Sequence, residues 1–388
     1  MFLWQSPQWP EFQVDLAALQ PALCAARHAQ GRATGLAGHL QLMDLGTLQL
    51  QGWADEAIAT AQIEGEVLQV HSVRASAARR LGLAGARTVD RDARTEATLD
   101  VLQAAIAQSQ QPLSHDMLHG WHAALFPGGR SGIRRIRTSE YRDHAEPMQI
   151  VTSRLGKPDI VHYQAPASGD VQAHMTQLIA WFNSRRGQTD GLVRAAIAHL
   201  WFEAVHPFED GNGRVGRALS EMALAQDLKT DQRLWSLSQQ MWLDRAGYYD
   251  HLQAATGQPR LDVTPWVQWF VGCVEKAADA AWEQMQSAMR KTRFWAVLRE
   301  HYPHLTATQN KAVNKLYDAG PEGFEGGMST EKYVNLCGVS RATAYRELKA
   351  LCDLGLLTQT GVGRATRYRL REQAPEGISP PASSSTVR

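Results

Sequence analysis

The chain has 388 residues, of which 44% are hydrophobic and 20% charged, a balance that fits a globular protein with two or three domains. The formal net charge of +1 gives no overall bias toward nucleic acid or acidic membranes. The four cysteines (Cys24, Cys273, Cys337 and Cys352) lack close metal-ligand spacing, and no long apolar run or basic leader is present, so we expect free thiols and a cytoplasmic location.

The first helices are expected in a small N-terminal segment over residues 1–50. Asp15 fits an N-cap, and Pro21 must then lie near a helix start or break the helix. Residues 53–70 predict a further helix, in which Thr60 and Glu64 are four apart and therefore share one face. Taken alone, this stretch is more typical of an ordinary surface helix.

The middle of the chain predicts more helices and one hairpin. Ser114 fits the N-cap of a helix over residues 115–125. The histidines on that helix favour packing or surface roles over a metal site (His115, His119 and His122). Residues 148–163 alternate polar and apolar side chains around Gly156, which predicts a β-hairpin in an otherwise helical protein.

Residues 206–217 read His-Pro-Phe-Glu-Asp-Gly-Asn-Gly-Arg-Val-Gly-Arg, after an apolar stretch that predicts a central helix. His206 can act as a base near neutral pH, and Asp210 can hold a hard cation such as Mg²⁺. The Gly-Asn-Gly backbone can form an anion nest at a helix start, where Arg214 and Arg217 are three apart. The alternative is a polar loop with a capping Asp and a solvated Arg pair.

This string matches His-x-Phe-x-Asp/Glu-Gly-Asn-Gly-Arg-x-x-Arg without a departure, and through it the chain resembles the Fic family over about residues 53–280. The resemblance implies a helical core that transfers AMP from ATP to a protein hydroxyl. By the same resemblance, His206 is the catalytic base and Asp210 holds Mg²⁺. The implied ATP site comprises Gly211, Asn212, Gly213, Arg214, Val215, Gly216, Arg217, Asp244 and Tyr249.

Two further features follow from the resemblance. Thr60-x-x-x-Glu64-Gly65 is similar to the motif of an inhibitory helix, which implies that Glu64 pairs with Arg217. The hairpin corresponds to the Fic flap, where a target segment docks as an added strand along Ile150, Val151 and Thr152. Gly213 stands where Fic kinases of the Doc type have Lys, which favours adenylylation.

Residues 301–370 predict a separate unit with helix, glycine turn, helix and two-stranded wing, which resembles a winged helix-turn-helix. Residues 329–370 contain seven Lys/Arg and three Asp/Glu. This local charge favours DNA contact through Arg341, Tyr345, Arg346, Arg364 and Arg367. A winged helix used for dimerisation or protein contact is the alternative. Residues 371–388 are rich in Pro and Ser and predict a disordered tail.

We therefore expect a mainly α fold with an N-terminal segment (1–50), a Fic core (51–285), a linker helix with a winged helix (286–370) and the tail. The core includes the inhibitory helix (about 53–70) and the flap (about 148–163). The predicted function is an adenylyltransferase using ATP and Mg²⁺, autoinhibited by Glu64. Expected partners are a target protein, the chain itself, a second copy or DNA. Removal of AMP using Glu64, transfer of another nucleotide or phosphate-linked group, and a nucleotide-sensing DNA-binding regulator stay open.

Overall fold

The structure is a computed structural model that describes residues 1–40, 42–83, 91–154, 157–320 and 327–371. These residues form 14 α-helices and three two-stranded antiparallel sheets, which confirms the mainly α fold class. Two compact units divide the chain, Met1–Glu283 and Gln284–Arg388. Among the described helices, none combines the length and the apolar character that crossing a membrane requires.

The first helix, α1 (Leu16–Ala37), begins as expected. The Asp15 side chain accepts a hydrogen bond from the Ala18 N–H at 3.0 Å, so the N-cap prediction is confirmed. Of the two alternatives for Pro21, a position near the helix start and a break, the structure shows no break, because Pro21 is the sixth residue of α1 and the helix continues. The apolar face of α1 is buried in the core, and this packing offsets the one backbone hydrogen bond that proline removes (Leu19, Ala26, Ala29 and Ala33).

The second helix, α2 (Leu42–Ile63), has other bounds than the predicted inhibitory helix. It starts earlier, so the expected boundary at residue 50 falls inside it. It ends at Ile63 because Gly65 adopts a φ of +77° and the Glu66 N–H turns back to the Ala61 carbonyl at 2.9 Å. Glu64 is therefore the first residue beyond the helix, not a residue on its face.

Nine further helices begin in the first unit, and the last of them, α11, continues past the end of that unit at Glu283. One of them, α7, has all of its 15 residues buried, which confirms the predicted central helix. Ser114 caps α5 through the Met117 N–H at 3.2 Å, as predicted. The helices are α3 (Val70–Arg80), α4 (Ala93–Ala107), α5 (His115–Leu125), α6 (Ser168–Ser184), α7 (Gly191–Val205), α8 (Asn212–Leu228), α9 (Leu237–Leu243), α10 (Arg245–Thr256) and α11 (Thr264–His301).

Two hairpins lie between α5 and α6. The short one joins β1 (Arg130–Ser131) and β2 (Arg134–Arg135). The longer one pairs β3 (Gln149–Arg154) with β4 (Lys157–Gln164), which confirms the predicted flap hairpin. Its turn at residues 155–156 lies outside the described residues. Buried Tyr163 donates its hydroxyl hydrogen to a carbonyl of α7, so the base of the flap is tied to the central helix.

The second unit has its own apolar core and the predicted order of elements. It contains α12 (Ala307–Asp318), α13 (Thr330–Cys337), α14 (Arg341–Asp353), β5 (Leu357–Thr360) and β6 (Arg367–Leu370). Gly338, with a φ of +69°, makes the turn between α13 and α14. Tyr333 and Leu348 are buried in this core. The glycine-rich segment at 321–326 and the predicted tail from residue 372 lie outside the described residues.

Candidate active site

His206 lies at the C-terminal end of α7 in a left-handed backbone conformation, with φ 49° and ψ 60°. Such a conformation costs a non-glycine residue about 1–3 kcal/mol and persists only where neighbours enforce it. The side chain is 17% exposed, and its Nδ1 lies 3.4 Å from the Glu203 carbonyl oxygen. Burial lowers the pKa of His206 to about 4. With Nδ1 donating to that carbonyl, neutral His206 presents the Nε2 lone pair as a proton acceptor.

Arg142 is the side chain that enforces this backbone, and sequence reasoning missed it. Its Nε donates to the His206 carbonyl at 2.8 Å, and its Nη2 donates to the carbonyls of Pro166 at 2.6 Å and Val205 at 3.2 Å. Desolvation lowers the pKa of this buried guanidinium to about 10, so it remains charged at neutral pH. These carbonyls and the Ser168 hydroxyl, to which its Nη1 donates at 2.9 Å, are all distant in sequence, and no motif signals such contacts.

The loop between α7 and α8 is fixed by Asn212. Its Oδ1 accepts from the Phe208 N–H and its Nδ2 donates to the Phe208 carbonyl, both at 2.8 Å. The buried Phe208 ring stacks on His122, with centroids 4.0 Å apart and planes at 3°. Burial lowers the pKa of His122 to about 4, and its Nε2 donates to the Asp210 carbonyl at 3.1 Å. His122 therefore has the packing role that the sequence favoured.

Asp210 faces the open side of this loop. Its Oδ1 accepts from the Gly211 N–H at 2.5 Å, and its Oδ2 accepts from the Ser131 hydroxyl. Within the described parts of the chain, no three His, Cys, Asp or Glu side chains group as metal ligands. Mg²⁺ commonly takes one or two carboxylates together with substrate phosphates and waters. A lone, partly exposed Asp210 beside a phosphate nest fits that mode of binding.

The nest itself is the start of α8. The helix begins at Asn212, one residue before the expected Gly213, because Gly211 takes the N-cap position with a φ of +77°. A side chain at Gly211 would meet the Phe126 ring at 2.8 Å, so only glycine fits there. The first N–H groups of a helix have no partner within it and favour anions. The site therefore offers a phosphate cradle beside His206 and Asp210.

Arg217 is buried against the end of α2. The side chain is 1% exposed, and its Nη2 lies 2.8 Å from Glu64 Oε1. Its Nε donates to Thr60 Oγ1 at 2.6 Å, so the two sequence-predicted residues of the inhibitory motif meet one guanidinium. Burial alone would lower the pKa of Arg217, but the neighbouring Glu64 carboxylate raises it above the usual value. A Cβ on Gly213 would collide with the Glu64 carboxylate, so the absence of a side chain at Gly213 leaves the space that this carboxylate occupies.

The second arginine is also occupied by an acid from beyond α2. Arg214 Nη1 lies 3.0 Å from Glu66 Oε1, and Arg214 Nη2 lies 3.7 Å from Asp210 Oδ1. Sequence reasoning missed Glu66, because the inhibitory motif ends at Gly65 and no spacing rule connects positions 148 residues apart.

Four of the residues predicted to contact ATP are engaged with other parts of the protein. The Val215 side chain is buried, and a Cβ on Gly216 would lie 2.7 Å from Glu203 Oε1, so both positions face the interior. The Asp244 carboxylate accepts from the Trp269 Nε1–H at 3.0 Å and caps α10. The Tyr249 hydroxyl donates to the last carbonyl of α2 at 3.1 Å, so it holds the end of that helix.

The flap and the second unit present the remaining predicted residues. Ile150 is exposed on β3, whereas the side chains of Val151 and Thr152 lie outside the described parts. In α14, Arg341, Tyr345 and Arg346 are exposed. Arg367 in β6 is partly exposed, and the Arg364 side chain lies outside the described parts.

Three family models match separate parts of the sequence. Residues 112–224 match the Fic/DOC family, residues 2–83 match a domain of unknown function (DUF4172), and residues 325–371 match the C-terminal domain of DIP2311-like transcriptional regulators. A protein adenylyltransferase Fic from Aedes aegypti is 29% identical over 137 residues, which is 35% of this chain. The match spans only 26% of that relative's length.

Solved structures show the same fold. A Fic family protein from Desulfovibrio desulfuricans superposes with a TM-score of 0.51 and 20% identity, over 95% of this chain and 99% of the other. A Fic domain containing signaling protein from Bacteroides thetaiotaomicron gives 0.52 and 17% identity, over 68% of this chain and 97% of the other. These findings lead to one conclusion: residues 112–224 match the Fic/DOC family model, and the chain has the fold of the solved Fic proteins.

Proposed function

We propose that this chain is a protein adenylyltransferase that moves AMP from ATP to a Ser, Thr or Tyr hydroxyl of a target protein, and that Glu64 holds it inactive. One observation carries the proposal: the Glu64 carboxylate lies 2.8 Å from buried Arg217 on α8, the helix that follows the loop containing Asp210 and, at its start, His206. The names of the matched relatives support the reaction class.

The reaction needs a base, a phosphate cradle and charge neutralisation. His206 Nε2 accepts the hydroxyl proton as the target oxygen bonds to the α-phosphorus, while the bond from that phosphorus to pyrophosphate breaks. The N–H groups of Asn212 and Gly213 donate to phosphate oxygens, whereas the Gly211 N–H already donates to Asp210, and Arg214 and Arg217 hold the distal phosphates. Asp210 would hold Mg²⁺, which would supply further neutralisation of phosphate charge. We propose that Gly213 leaves room for this orientation of ATP.

The inhibition follows from the same contacts. Glu64 occupies the Arg217 guanidinium and the space beside Gly213, and its negative charge repels the distal phosphates. Glu66 does the same at Arg214. Among the described contacts, neither acid forms a hydrogen bond or an ion pair with His206 or Asp210, so both acids act directly on the two arginines that would hold the phosphates.

We propose that the flap positions the target. β3 pairs only with β4 in its two-stranded sheet, so within the described part of the sheet its other edge can receive an added strand. Exposed Ile150 lies on this strand, and Val151 and Thr152 follow it in sequence.

Intact mass spectrometry after incubation with ATP and Mg²⁺ tests the proposal. We would compare the wild type, Glu64→Gly and Glu64→Gly/His206→Ala, each alone and with a bacterial lysate as a target source. An AMP adduct that appears with Glu64→Gly and disappears with the double variant supports both the chemistry and the inhibition. An adduct that persists without His206 contradicts the mechanism, and removal of AMP from a modified protein by the wild type would indicate the reverse reaction.

A second function, DNA binding by the C-terminal unit, is supported by the match of residues 325–371 to a transcriptional regulator domain. α14 follows a glycine turn and exposes Arg341, Tyr345 and Arg346, as expected of a recognition helix in a winged helix-turn-helix. Fluorescence anisotropy with random-sequence duplexes at two salt concentrations would test it. Absence of any salt-dependent binding by the full chain would contradict it.

A further inference from the structure

Glu203 is a buried acid on α7 that the proposed mechanism does not use. It is 7% exposed and lies three residues before His206, and its Oε2 is 3.7 Å from His206 Nδ1. Its Oε1 has no hydrogen-bond partner among the described residues. An unsatisfied buried polar group costs roughly 1–3 kcal/mol, so an apolar side chain would pack there more favourably. Because a buried carboxyl group with an unpaired oxygen lowers stability, its presence at position 203 points to a role other than stability.

The facing helix also accommodates this carboxyl group. Gly216 lies inside α8, where glycine is about 1 kcal/mol less favourable than alanine. A Cβ at that position would lie 2.7 Å from Glu203 Oε1 and 3.3 Å from the Phe202 ring. Gly216 therefore keeps the space that the Glu203 carboxyl group occupies beside His206.

We propose that Glu203 is a positioning residue for His206: its backbone carbonyl accepts from Nδ1, and its carboxyl group, which lies beside Nδ1, stabilises once ionised the imidazolium that forms when Nε2 accepts the target proton. This inference rests on the proposed function. The proton moves from the target hydroxyl to Nε2, and Glu203 itself neither gains nor loses a proton in that step. An ionised carboxylate within 4 Å of a forming cation lowers the energy of that cation, and the effect is strongest in a buried site.

The charges around the pair connect it to the inhibitory contact. The pKa of Glu203 is raised to about 8: burial contributes most, the Glu64 carboxylate adds to the rise, and Arg217 opposes both. At neutral pH, with Glu64 docked, the proton therefore stays on Glu203, and His206 faces a neutral acid. The charged or titratable groups facing the two side chains are Glu64, Arg217, Tyr163 and Tyr248 around Glu203, and Arg142, Glu64 and Asp210 around His206.

Departure of Glu64 removes one of the two influences that keep Glu203 protonated. The pKa of Glu203 then falls, the carboxylate ionises at lower pH, and His206 becomes a better base. Glu64 therefore restrains the enzyme in two ways, through the phosphate clamp and through the base. The sign is fixed: ionised Glu203 is present above its pKa, so transfer activity rises with pH through that value and falls below it.

The kinetic test uses Glu64→Gly protein with and without Glu203→Gln, assayed for AMP transfer between about pH 5.5 and 9. Glutamine has the shape of the neutral acid at every pH. We expect the Glu64→Gly rate to rise at least tenfold across this range, and the double variant to stay at the low-pH rate throughout. If the AMP-transfer rate of the double variant rises with pH as much as that of Glu64→Gly, the proposal is overturned.

Glu221→Gln is the matched control. Glu221 is another buried acid, on α8, with a pKa raised by burial to about 7, but it pairs with Arg233 at 3.0 Å instead of approaching His206. In Glu64→Gly protein, the Glu221→Gln change should leave the rise of the AMP-transfer rate with pH unaltered. If both glutamine variants flatten the profile equally, the effect belongs to general packing and the proposal fails.

A measurement without ATP separates this inference from the proposed reaction. NMR titration of the His206 ring nitrogens should show a step where Glu203 ionises. The step should lie at lower pH in Glu64→Gly than in the wild type and should be absent in Glu203→Gln. If this step is present but no variant transfers AMP, the proposed function fails while the coupling holds. If the ring nitrogens never sense Glu203, the positioning role is wrong, whatever the activity.

Discussion

Replacing Glu64 by Gly should release the phosphate clamp, and the structure sets the size of the effect. The Glu64–Arg217 contact is a 2.8 Å charged hydrogen bond in which Arg217 is buried and Glu64 is 25% exposed. Hydrogen bonds to charged groups contribute roughly 1.5–3 kcal/mol, and the exposure of Glu64 favours the lower half of that range. About 2 kcal/mol corresponds to roughly a thirtyfold change in the population that can bind ATP productively.

The assay is transfer of labelled AMP from ATP at a concentration below saturation, where the rate reports the competent population. Glu64→Gly should be about thirtyfold faster than the wild type. Glu64→Gln keeps an acceptor but loses the charge, so it should fall between the two. Glu96→Gln is the control, because it breaks ion pairs with Arg79 and Arg80 away from the site and should leave the rate unchanged.

Two results would refute this reasoning. Equal transfer rates in wild type and Glu64→Gly, at equal affinity for a non-hydrolysable ATP analogue, would show that Glu64 does not restrain the site. A gain in Glu96→Gln as large as that in Glu64→Gly would show that loss of negative charge, not release of Arg217, causes the change.

Three further outcomes follow from the same structure. Glu66→Gln frees Arg214 and, added to Glu64→Gly, should tighten ATP binding about fivefold in calorimetry, because the Glu66 contact is partly exposed and contributes about 1 kcal/mol. Asn212→Ala removes both hydrogen bonds to Phe208 and should lower the free energy of unfolding by about 1–3 kcal/mol in urea denaturation. Arg346→Ala should weaken duplex binding in fluorescence anisotropy and leave AMP transfer unchanged, since the site lies in the other unit.

Sequence reasoning succeeded where chemistry and geometry are both local. Residues 206–217 contain the base, the carboxylate, the nest and both arginines in one stretch, so their placement follows from one helix end and one helix start. The caps at Asp15 and Ser114 were predictable for the same reason, since each side chain bonds an N–H three residues ahead. The β3–β4 hairpin and the order of helices and strands in the second unit also follow from local alternation and turn residues.

It fell short where a residue acts through partners far along the chain. Arg142 supports His206 through carbonyls that are not adjacent to it in sequence. Glu66 reaches Arg214 because Gly65 ends α2 in a left-handed turn that redirects the chain. The same turn explains the misplaced helix end: helix propensity continues past Ile63, but the backbone conformation of a single glycine decides the boundary.

The contacts of α2 are distributed unevenly along the helix, and this distribution indicates where the contact between Glu64 and Arg217 can open. In the middle of the helix, buried Glu56 accepts from Ser236 Oγ at 2.7 Å and lies 3.5 Å from Arg233, a cluster whose loss would leave uncompensated buried charge. At the end, the contacts are the partly exposed acids and two donors on the last carbonyl, Tyr249 at 3.1 Å and Arg245 at 3.3 Å. Each end contact should contribute far less than the buried cluster, so we expect movement of the segment after Ile63 to withdraw both acids from Arg214 and Arg217 while Thr60 and the rest of α2 stay docked.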